Sequence, residues 1–389
     1  MNPGIEMRKL VGLFALGAAM LVLPLILGQF GSSWVRILDT ALLYVMLALG
    51  LNIVVGFAGL LDLGYIAFYA VGAYLYALLA SPHLVQNFEW IAQMFPNGLH
   101  ASLWVVLPLS AGVAALFGVL LGAPTLKLRG DYLAIVTLGF GEIVRIFINN
   151  LNAPVNITNG PQGISRIDPI SLFGTSLAGQ RGSRGMVEVF GFTIPGVTAY
   201  YYLFLALVIV VLVICLRLQN SRIGRAWVAI REDEIAAKAM GINTRNLKLL
   251  AFAMGASFGG VAGAMFSAFQ GFVSPESFTL MESIVVLAMV VLGGMGHVPG
   301  VILGALLLAG LPEVLRYFIV PFQEALFGPG NVILDAEVGR TLIFGLAMVL
   351  VMLFRPKGLW PAPLHGIARK TLKDARVPDK APSTAEVQS

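Results

Sequence analysis

Long apolar runs alternate with short polar segments along most of this chain. A helix needs about 20 mostly apolar residues to cross the hydrocarbon core of a bilayer, and several runs reach that length without an internal charge. The pattern predicts ten membrane-spanning helices, at 10–30, 37–57, 62–80, 102–122, 132–149, 198–217, 250–269, 282–295, 301–320 and 338–354. The second, third and eighth are rich in glycine, so we expect them to be broken or to re-enter the membrane surface.

The composition indicates that lipid is the surrounding medium. Of the 389 residues, 58% are hydrophobic and 12% are charged, which is more apolar surface than a water-soluble protein of this length can hide. The runs lack the alternating pattern of outer-membrane barrel strands. We therefore predict an all-α, polytopic helical membrane protein. The first run continues to about Phe30 without a small-residue cleavage site, so we expect a membrane helix there and not a signal peptide.

Lysine and arginine are distributed unevenly between the predicted loops. They cluster near 124–131, in 217–248 and after residue 354, whereas 81–101 and 320–339 contain none. Cytoplasmic loops carry the excess of basic residues in membrane proteins. With ten spans, this rule places the three basic segments and both termini in the cytoplasm and the long 150–197 loop outside. The net charge of +5 is thus a signal of topology, and it does not indicate binding to nucleic acid.

The domain organisation follows from the same pattern. Residues 1–364 form a transmembrane domain with an outer loop at about 150–197 and a cytoplasmic loop at about 218–249. Residues 365–389 are polar, and we expect a disordered cytoplasmic tail. A faint similarity between 54–64 and 290–300 is too short to establish an inverted repeat.

Small and polar residues within the spans add detail. Glycines recur four residues apart in several helices, at 118 and 122, at 255, 259 and 263, and at 296, 300 and 304. Such spacing allows close helix packing.

Glu142 with Arg145 and Glu313 with Arg316 are three residues apart, so each pair is expected to form a structural ion pair. Asp62 lies where the chain is expected to cross or re-enter the membrane surface.

The loop around residue 235 carries an unusual density of charge, with nine charged residues between 220 and 250. Asp233 is placed to cap a helix, with Glu234 in its first turn and Gly241 at its end. The apolar residues of this helix form one stripe: Ile235, Ala236, Ala239 and Met240. A helix of about two turns is too short to be stable alone in water, so we expect a protein partner on the cytoplasmic side.

These residues carry a resemblance. The segment EIAAKAMG places Ala236 and Ala237 five and four residues before Gly241. It is similar to the Glu-Ala-Ala-x-x-x-Gly loop of ABC-importer permeases, although Ile235 stands at the usual acidic position and Glu234 precedes it. Together with four further segments, at 60–74, 128–146, 157–165 and 271–296, it resembles the branched-chain amino acid permease family of LivM type. The resemblance covers most of residues 37–360, and His297 departs from the small residue expected there.

The resemblance implies a transmembrane subunit of a bacterial ABC uptake system in the inner membrane. Its expected partners are a second, related permease, two ATPases and a periplasmic solute-binding protein, and its cargo is an aliphatic amino acid. The implied ATPase contacts are Arg231, Glu232, Asp233, Glu234, Ala236, Ala237 and Gly241. Asn52, Asp62 and Thr137 are candidate polar points along the translocation path. No lysine directly follows a glycine, so the chain contains no Walker A motif; the partners are expected to use the ATP.

Other functions stay open at this point. Within the same architecture the cargo could be urea, a short amide or another amino acid. A secondary transporter driven by an ion gradient is a rival of a different class, but it would leave the charged loop without a purpose. No set of His, Cys and carboxylate residues suggests catalysis or metal binding, so we expect neither an enzyme nor a bound cofactor.

Overall fold

The computed structural model describes residues 3–360, except for 97, 126–127, 129, 173–174, 178–184, 190–191, 328–335 and 356–357. Its longer helices are α1 (Pro3–Phe30), α2 (Ser32–Leu51), α3 (Ile66–Leu79), α6 (Leu103–Thr125), α7 (Asp131–Asn150), α8 (Gly196–Gln219), α11 (Thr244–Gln270), α12 (Leu280–Gly293), α13 (Val298–Phe327) and α14 (Ala336–Phe354). The described residues also contain four short α-helices: α4 (His83–Asn87), α5 (Glu89–Met94), α9 (Arg222–Glu232) and α10 (Glu234–Ala239). The predicted tail at 365–389 lies outside the described residues.

The predicted all-α, polytopic membrane fold is confirmed. Each of the ten predicted segments falls on one of the longer helices. Within the described residues, five helical segments are long and apolar enough to cross a membrane: Ser32–Phe57, Leu103–Thr125, Gly196–Gln219, Thr244–Gln270 and Pro275–Gly293. The number of ten spans stays a prediction. The strands in the described part of the chain are short and form three two-stranded pairs: β1 (Ile164–Ser165) with β6 (Phe272–Val273), β2 (Ser171–Leu172) with β3 (Thr175–Ser176), and β4 (Met186–Val189) with β5 (Phe192–Pro195).

Helix α11 occupies the centre of the bundle, where it packs against α2, α3 and α6. Glycines bring the backbones into direct contact. A Cβ built on Gly72 of α3 would lie 2.0 Å from the carbonyl oxygen of Gly260, and one built on Gly263 would lie 2.0 Å from that of Tyr69. The expectation of close packing at the regularly spaced glycines is confirmed at Gly263. In a membrane, where lipid is as apolar as the helices, such contacts supply the packing energy.

Loops gather at the two ends of the bundle. At one end, Ile164 pairs with Val273 and the Tyr76 hydroxyl donates to the backbone oxygen of Asp168 at 3.1 Å. At the other, Leu359 and Trp360 lie beside the end of α12, because Leu359 N donates to Leu292 O at 2.8 Å and Trp360 N donates to Gly293 O at 3.2 Å. Which end faces the cytoplasm rests on the distribution of basic residues.

Two of the helical hairpins are interrupted at this second end. Helix α2 continues into a π-helical turn, Asn52–Phe57, and the chain then runs without helix through residues 58–65 to α3. With 14 residues, α3 is only about 21 Å long. Helix α12 stops at Gly293, and α13 begins at Val298. We call residues 52–65 the first break and residues 294–297 the second break. They agree with the interruptions expected from the glycine-rich segments.

Ion pairing within the helices agrees with the sequence where the side chains are described. Arg145 donates to the Glu142 carboxylate on α7, as the spacing of three residues predicted. The side chains of Glu313 and Arg316 lie outside the described ones.

Candidate functional site

The loop predicted to bind a partner folds as two helices, α9 and α10, separated at Asp233. The expected cap is confirmed: the Asp233 carboxylate accepts hydrogen bonds from Ile235 N at 2.8 Å and Ala236 N at 3.0 Å. These two donors would otherwise have no partner in the first turn. Helix α9 was not predicted; the serine cap at Ser221 is the signal in the sequence that marks its start.

The end of α10 is closed by its own chain as well. Gly241 adopts φ +83°, a left-handed conformation that glycine reaches without steric cost. Gly241 N donates to Lys238 O at 3.0 Å, and Ile242 N donates to Ala237 O at 3.1 Å. These are the two hydrogen bonds of a Schellman motif. A helix of six residues is thereby held at both ends.

The apolar residues of α10 divide between two faces. Ala237 is 4% exposed and packs against the protein, whereas Ile235 and Met240 are 66% and 82% exposed. Ala236 and Ala239 are exposed beside them. We call Ile235, Ala236, Ala239 and Met240 the α10 stripe. The predicted stripe therefore exists and faces away from the bundle.

Glu234 points toward the protein and not away from it. Its carboxylate lies 2.8 Å from the ammonium of Lys248 on α11 and 3.9 Å from that of Lys238. The side chains of Glu234 and Lys248 are only 16% and 6% exposed. The ion pair with Lys248 therefore fastens α10 to α11, and the predicted role of Glu234 as an ATPase contact stays a prediction. Sequence reasoning counted Lys248 only as a basic loop residue.

We expect Glu234→Gln to destabilise the folded protein by about 3 kcal/mol, because it leaves the Lys248 ammonium nearly buried without a counter-charge. The measurement is the thermal unfolding midpoint of the purified protein. Glu232→Gln, at an exposed position two residues earlier, is the matched control and should change little. Adding Lys248→Met to Glu234→Gln should restore part of the loss. Equal midpoints for Glu234→Gln and Glu232→Gln would contradict a stabilising ion pair.

Helix α9 is fixed to the start of α11. Trp227 is fully buried, and its indole Nε1 donates to Leu247 O at 2.8 Å. Ser221 caps the helix by accepting from Gly224 N at 3.1 Å. Because α10 follows directly and is tied to Lys248, the two short helices are both joined to the central helix of the bundle.

Arg231 connects this loop to the first break. It lies in the last turn of α9, and its Nη1 donates to the carbonyl oxygen of Gly56. A Cβ built on Gly59 would lie 2.7 Å from Arg231 Cγ. Arg231 and Glu232, the last two residues of α9, are both exposed, so Arg231 reaches the first break from the surface. The seven predicted contact residues are thus adjacent in space. Glu234 is directed inward and Arg231 bonds to the first break, while contact with an ATPase stays a prediction.

The three candidate path residues are fully buried: Asn52 and Asp62 lie in the first break, and Thr137 of α7 contacts it. Asn52 Oδ1 accepts from Gly296 N at 2.9 Å and so joins the two breaks. Asp62 accepts from Gly64 N at 2.9 Å. Thr137 Oγ1 accepts from Leu63 N at 3.0 Å. The structure therefore brings Asp62 and Thr137 together and gives all three a role in holding the breaks, while contact with a cargo stays a prediction.

Comparison with known proteins gives a consistent result along nearly the whole bundle. The family described as "Branched-chain amino acid transport system / permease component" matches residues 33–352. The chain is 44% identical over 333 residues to the high-affinity branched-chain amino acid transport system permease protein LivM of Escherichia coli, covering 84% of this chain and 70% of that protein.

More distant relatives are also permease proteins of branched-chain amino acid transport systems. The probable branched-chain amino acid transport permease protein LivM of Methanocaldococcus jannaschii is 28% identical, over 82% of this chain and 90% of its own length. The permease protein LivH of the corresponding high-affinity system of Salmonella typhimurium is 26% identical, over 82% and 92%. No solved structure gave a significant match.

Proposed function

Because the chain belongs to the family of branched-chain amino acid permease components, we propose that it is the membrane-spanning subunit of an ATP-driven importer for branched-chain amino acids. The observation that carries the proposal is the α10 stripe. It is an exposed apolar surface within the basic loop, on a helix that is capped at both ends. The chain contains no Walker A motif. A separate ATPase must therefore supply the energy.

The assembly that we propose contains a second, related permease, two ATPases and a periplasmic solute-binding protein. The similarity to both LivM and LivH proteins supports a related but different permease as the partner. We place the complex in the bacterial inner membrane with both termini in the cytoplasm, since the basic segments are then all on the cytoplasmic side. ATP would be used by the partners and not bound by this chain.

The α10 stripe supports a docking role because of its chemistry. Ile235 and Met240 expose large apolar side chains to water at a site ringed by charged residues. An apolar centre with a polar rim is the usual composition of a protein interface. In the proposed complex the ATPase covers this stripe, and movement of the ATPase on binding ATP moves α10 with it.

The proposed path for the cargo passes the breaks. Irregular backbone within a membrane is tolerated where it lies inside the protein or lines a cavity, and the breaks supply such backbone near Asn52, Asp62 and Thr137. Asn52 Nδ2 has no hydrogen-bond partner among the described residues. Asp62 Oδ2 also lacks a hydrogen-bond partner among them, so both side chains have a polar atom left to meet a delivered amino acid.

The test is to tag the chain, extract it gently from native membranes, identify the proteins that co-purify, and measure leucine uptake in the same cells. We expect an ATPase and a second permease in the complex, and uptake that continues when the proton gradient is dissipated while ATP is maintained. A pure, lone chain whose uptake stops with the gradient would favour a secondary transporter. Uptake of urea or short amides in place of leucine would correct the cargo alone.

A further inference from the structure

We propose that Arg231 is a positioning residue that transmits movement of the α9–α10 loop to the two breaks, and not a contact to the ATPase. The inference rests on the proposed function, since it assumes that an ATPase moves this loop. It follows from where the guanidinium lies. Among the charged residues of the loop that the structure describes, Arg231 is the one with a hydrogen bond to the first break.

The hydrogen bond from Arg231 gives a partner to a carbonyl group at the end of a helix. The last carbonyl groups of a helix have no partner within it, and they carry the negative end of the helix dipole. After the π-helical turn, Ala58 N donates to Ile53 O at 3.1 Å and Leu60 N donates to Val54 O at 3.0 Å. The carbonyl of Gly56 is bonded by Arg231. A cationic donor at this position therefore caps the end of the first broken helix.

The same guanidinium also borders the second break. A Cβ built on Gly296 would lie 3.0 Å from Arg231 Nη1 and 3.0 Å from Gly56 O. Gly296 N in turn donates to Asn52 at the other end of the π-helical turn. The Arg231 guanidinium, the Gly56 carbonyl and Gly296 form one cluster. In it, Arg231 connects the first break with α9, and Asn52 connects the first break with the second. Glycine at 59 and 296 leaves the space that the arginine side chain occupies.

The Arg231 contact can transmit movement of the loop to the breaks because α9 and α10 are held firmly against α11. Trp227 and the Glu234–Lys248 ion pair fix α9 and α10 to α11, so that the loop moves with the start of α11. Arg231 is exposed over part of its surface, and breaking its hydrogen bond would not strand a charge in an apolar site. The contact can therefore form and open during a transport cycle at modest cost.

The decisive variant is Arg231→Met in the complete complex, reconstituted with its binding protein. We expect the ATPase to co-purify at the wild-type level, because the α10 stripe is untouched. Maximal leucine uptake should fall about tenfold, the effect of losing one hydrogen bond to a charged group. The KM for loaded binding protein should stay the same, and ATP hydrolysis should respond less to that protein.

Two further variants make the test specific. Arg225→Met removes an arginine from the same helix whose guanidinium donates to Asn220 O, away from the breaks, and should transport normally. Arg231→Lys keeps the charge with a single-point donor on a shorter reach and should restore part of the uptake. If Arg231→Met fails to accumulate, Arg231→Lys replaces it in the test. At normal protein level, its uptake should lie below that of the wild type.

The outcomes separate this inference from the proposed function. Normal uptake in Arg231→Met would overturn the transmitting role, and so would loss of the ATPase from the complex, which would make Arg231 a docking contact. An equal change in Arg225→Met would overturn it as well, since loss of loop charge would then explain the result. If the wild-type chain itself has no ATPase partner and no ATP-driven uptake, the proposed function fails, and the inference fails with it.

Discussion

Changing Ile235 and Met240 together to aspartate should abolish ATP-driven uptake while leaving the protein folded in the membrane. Both side chains are largely exposed, so the change disturbs no internal packing. In the proposed complex they lie under the ATPase, where two carboxylates would lose their water without gaining a partner. Interface anchors of this kind contribute about 2 kcal/mol or more each, so association should weaken by about a thousandfold.

The measurement is the amount of ATPase that co-purifies with the tagged chain, together with uptake in the same cells. Ile235→Leu with Met240→Leu is the matched control, since it keeps both positions apolar and nearly conserves volume. It should bind and transport like the wild type. If the aspartate variant retains its ATPase, another surface makes the contact. The α10 stripe then has a different role.

Gly72→Ala should prevent accumulation of the folded protein. The added Cβ would lie 2.0 Å from the carbonyl oxygen of Gly260 and 2.6 Å from its Cα. No rotamer change relieves a clash between two backbones, so α3 and α11 would have to separate at the centre of the bundle. Overpacking a tight core costs about 3 kcal/mol, occasionally more, which is a large share of the stability of a typical protein.

A glycine in open space provides the control for this prediction. A Cβ built on Gly139 of α7 meets nothing within 4 Å, and alanine is the better helix former by about 1 kcal/mol. Gly139→Ala should therefore accumulate in membranes and melt at or above the wild-type temperature, whereas Gly72→Ala should show little protein and a lower midpoint. Similar levels and midpoints for the two variants would mean that α3 and α11 can shift apart cheaply.

Local features of the site were predictable because their partners lie within a few residues. The cap at Asp233 bonds two and three positions ahead, and Gly241 closes a turn begun at Ala237. Glu142 and Arg145 pair one turn apart. For such contacts the spacing along the helix determines the geometry, and a single sequence contains all the information needed.

Directions of charged side chains were not predictable in the same way. Arg231 and Glu234 were both predicted to contact an ATPase, and that role stays a prediction. The sequence did not show that Arg231 bonds to Gly56, which is 175 positions away, or that Glu234 pairs with Lys248 on α11. Either orientation satisfies the local pattern of the loop. The direction of each side chain depends on which distant groups the packed bundle brings within reach. A charged residue bonds to the protein where a carbonyl or an ammonium without another partner lies close to it.

The sequence by itself determined the helical membrane fold, the places where helices are interrupted, the capped helix of the basic loop and the family. The fold, the interruptions and the capped helix follow from hydropathy, glycine content and short-range spacing, because a bilayer requires long apolar helices and irregular backbone must lie inside the protein. The family followed from the resemblance of several motif segments. Only the tertiary structure decided that the two breaks adjoin through Asn52, that Arg231 bonds to the first break beside the second, and that Gly72 contacts Gly260. Those contacts link segments far apart in the chain, and their formation requires the whole bundle to pack around α11.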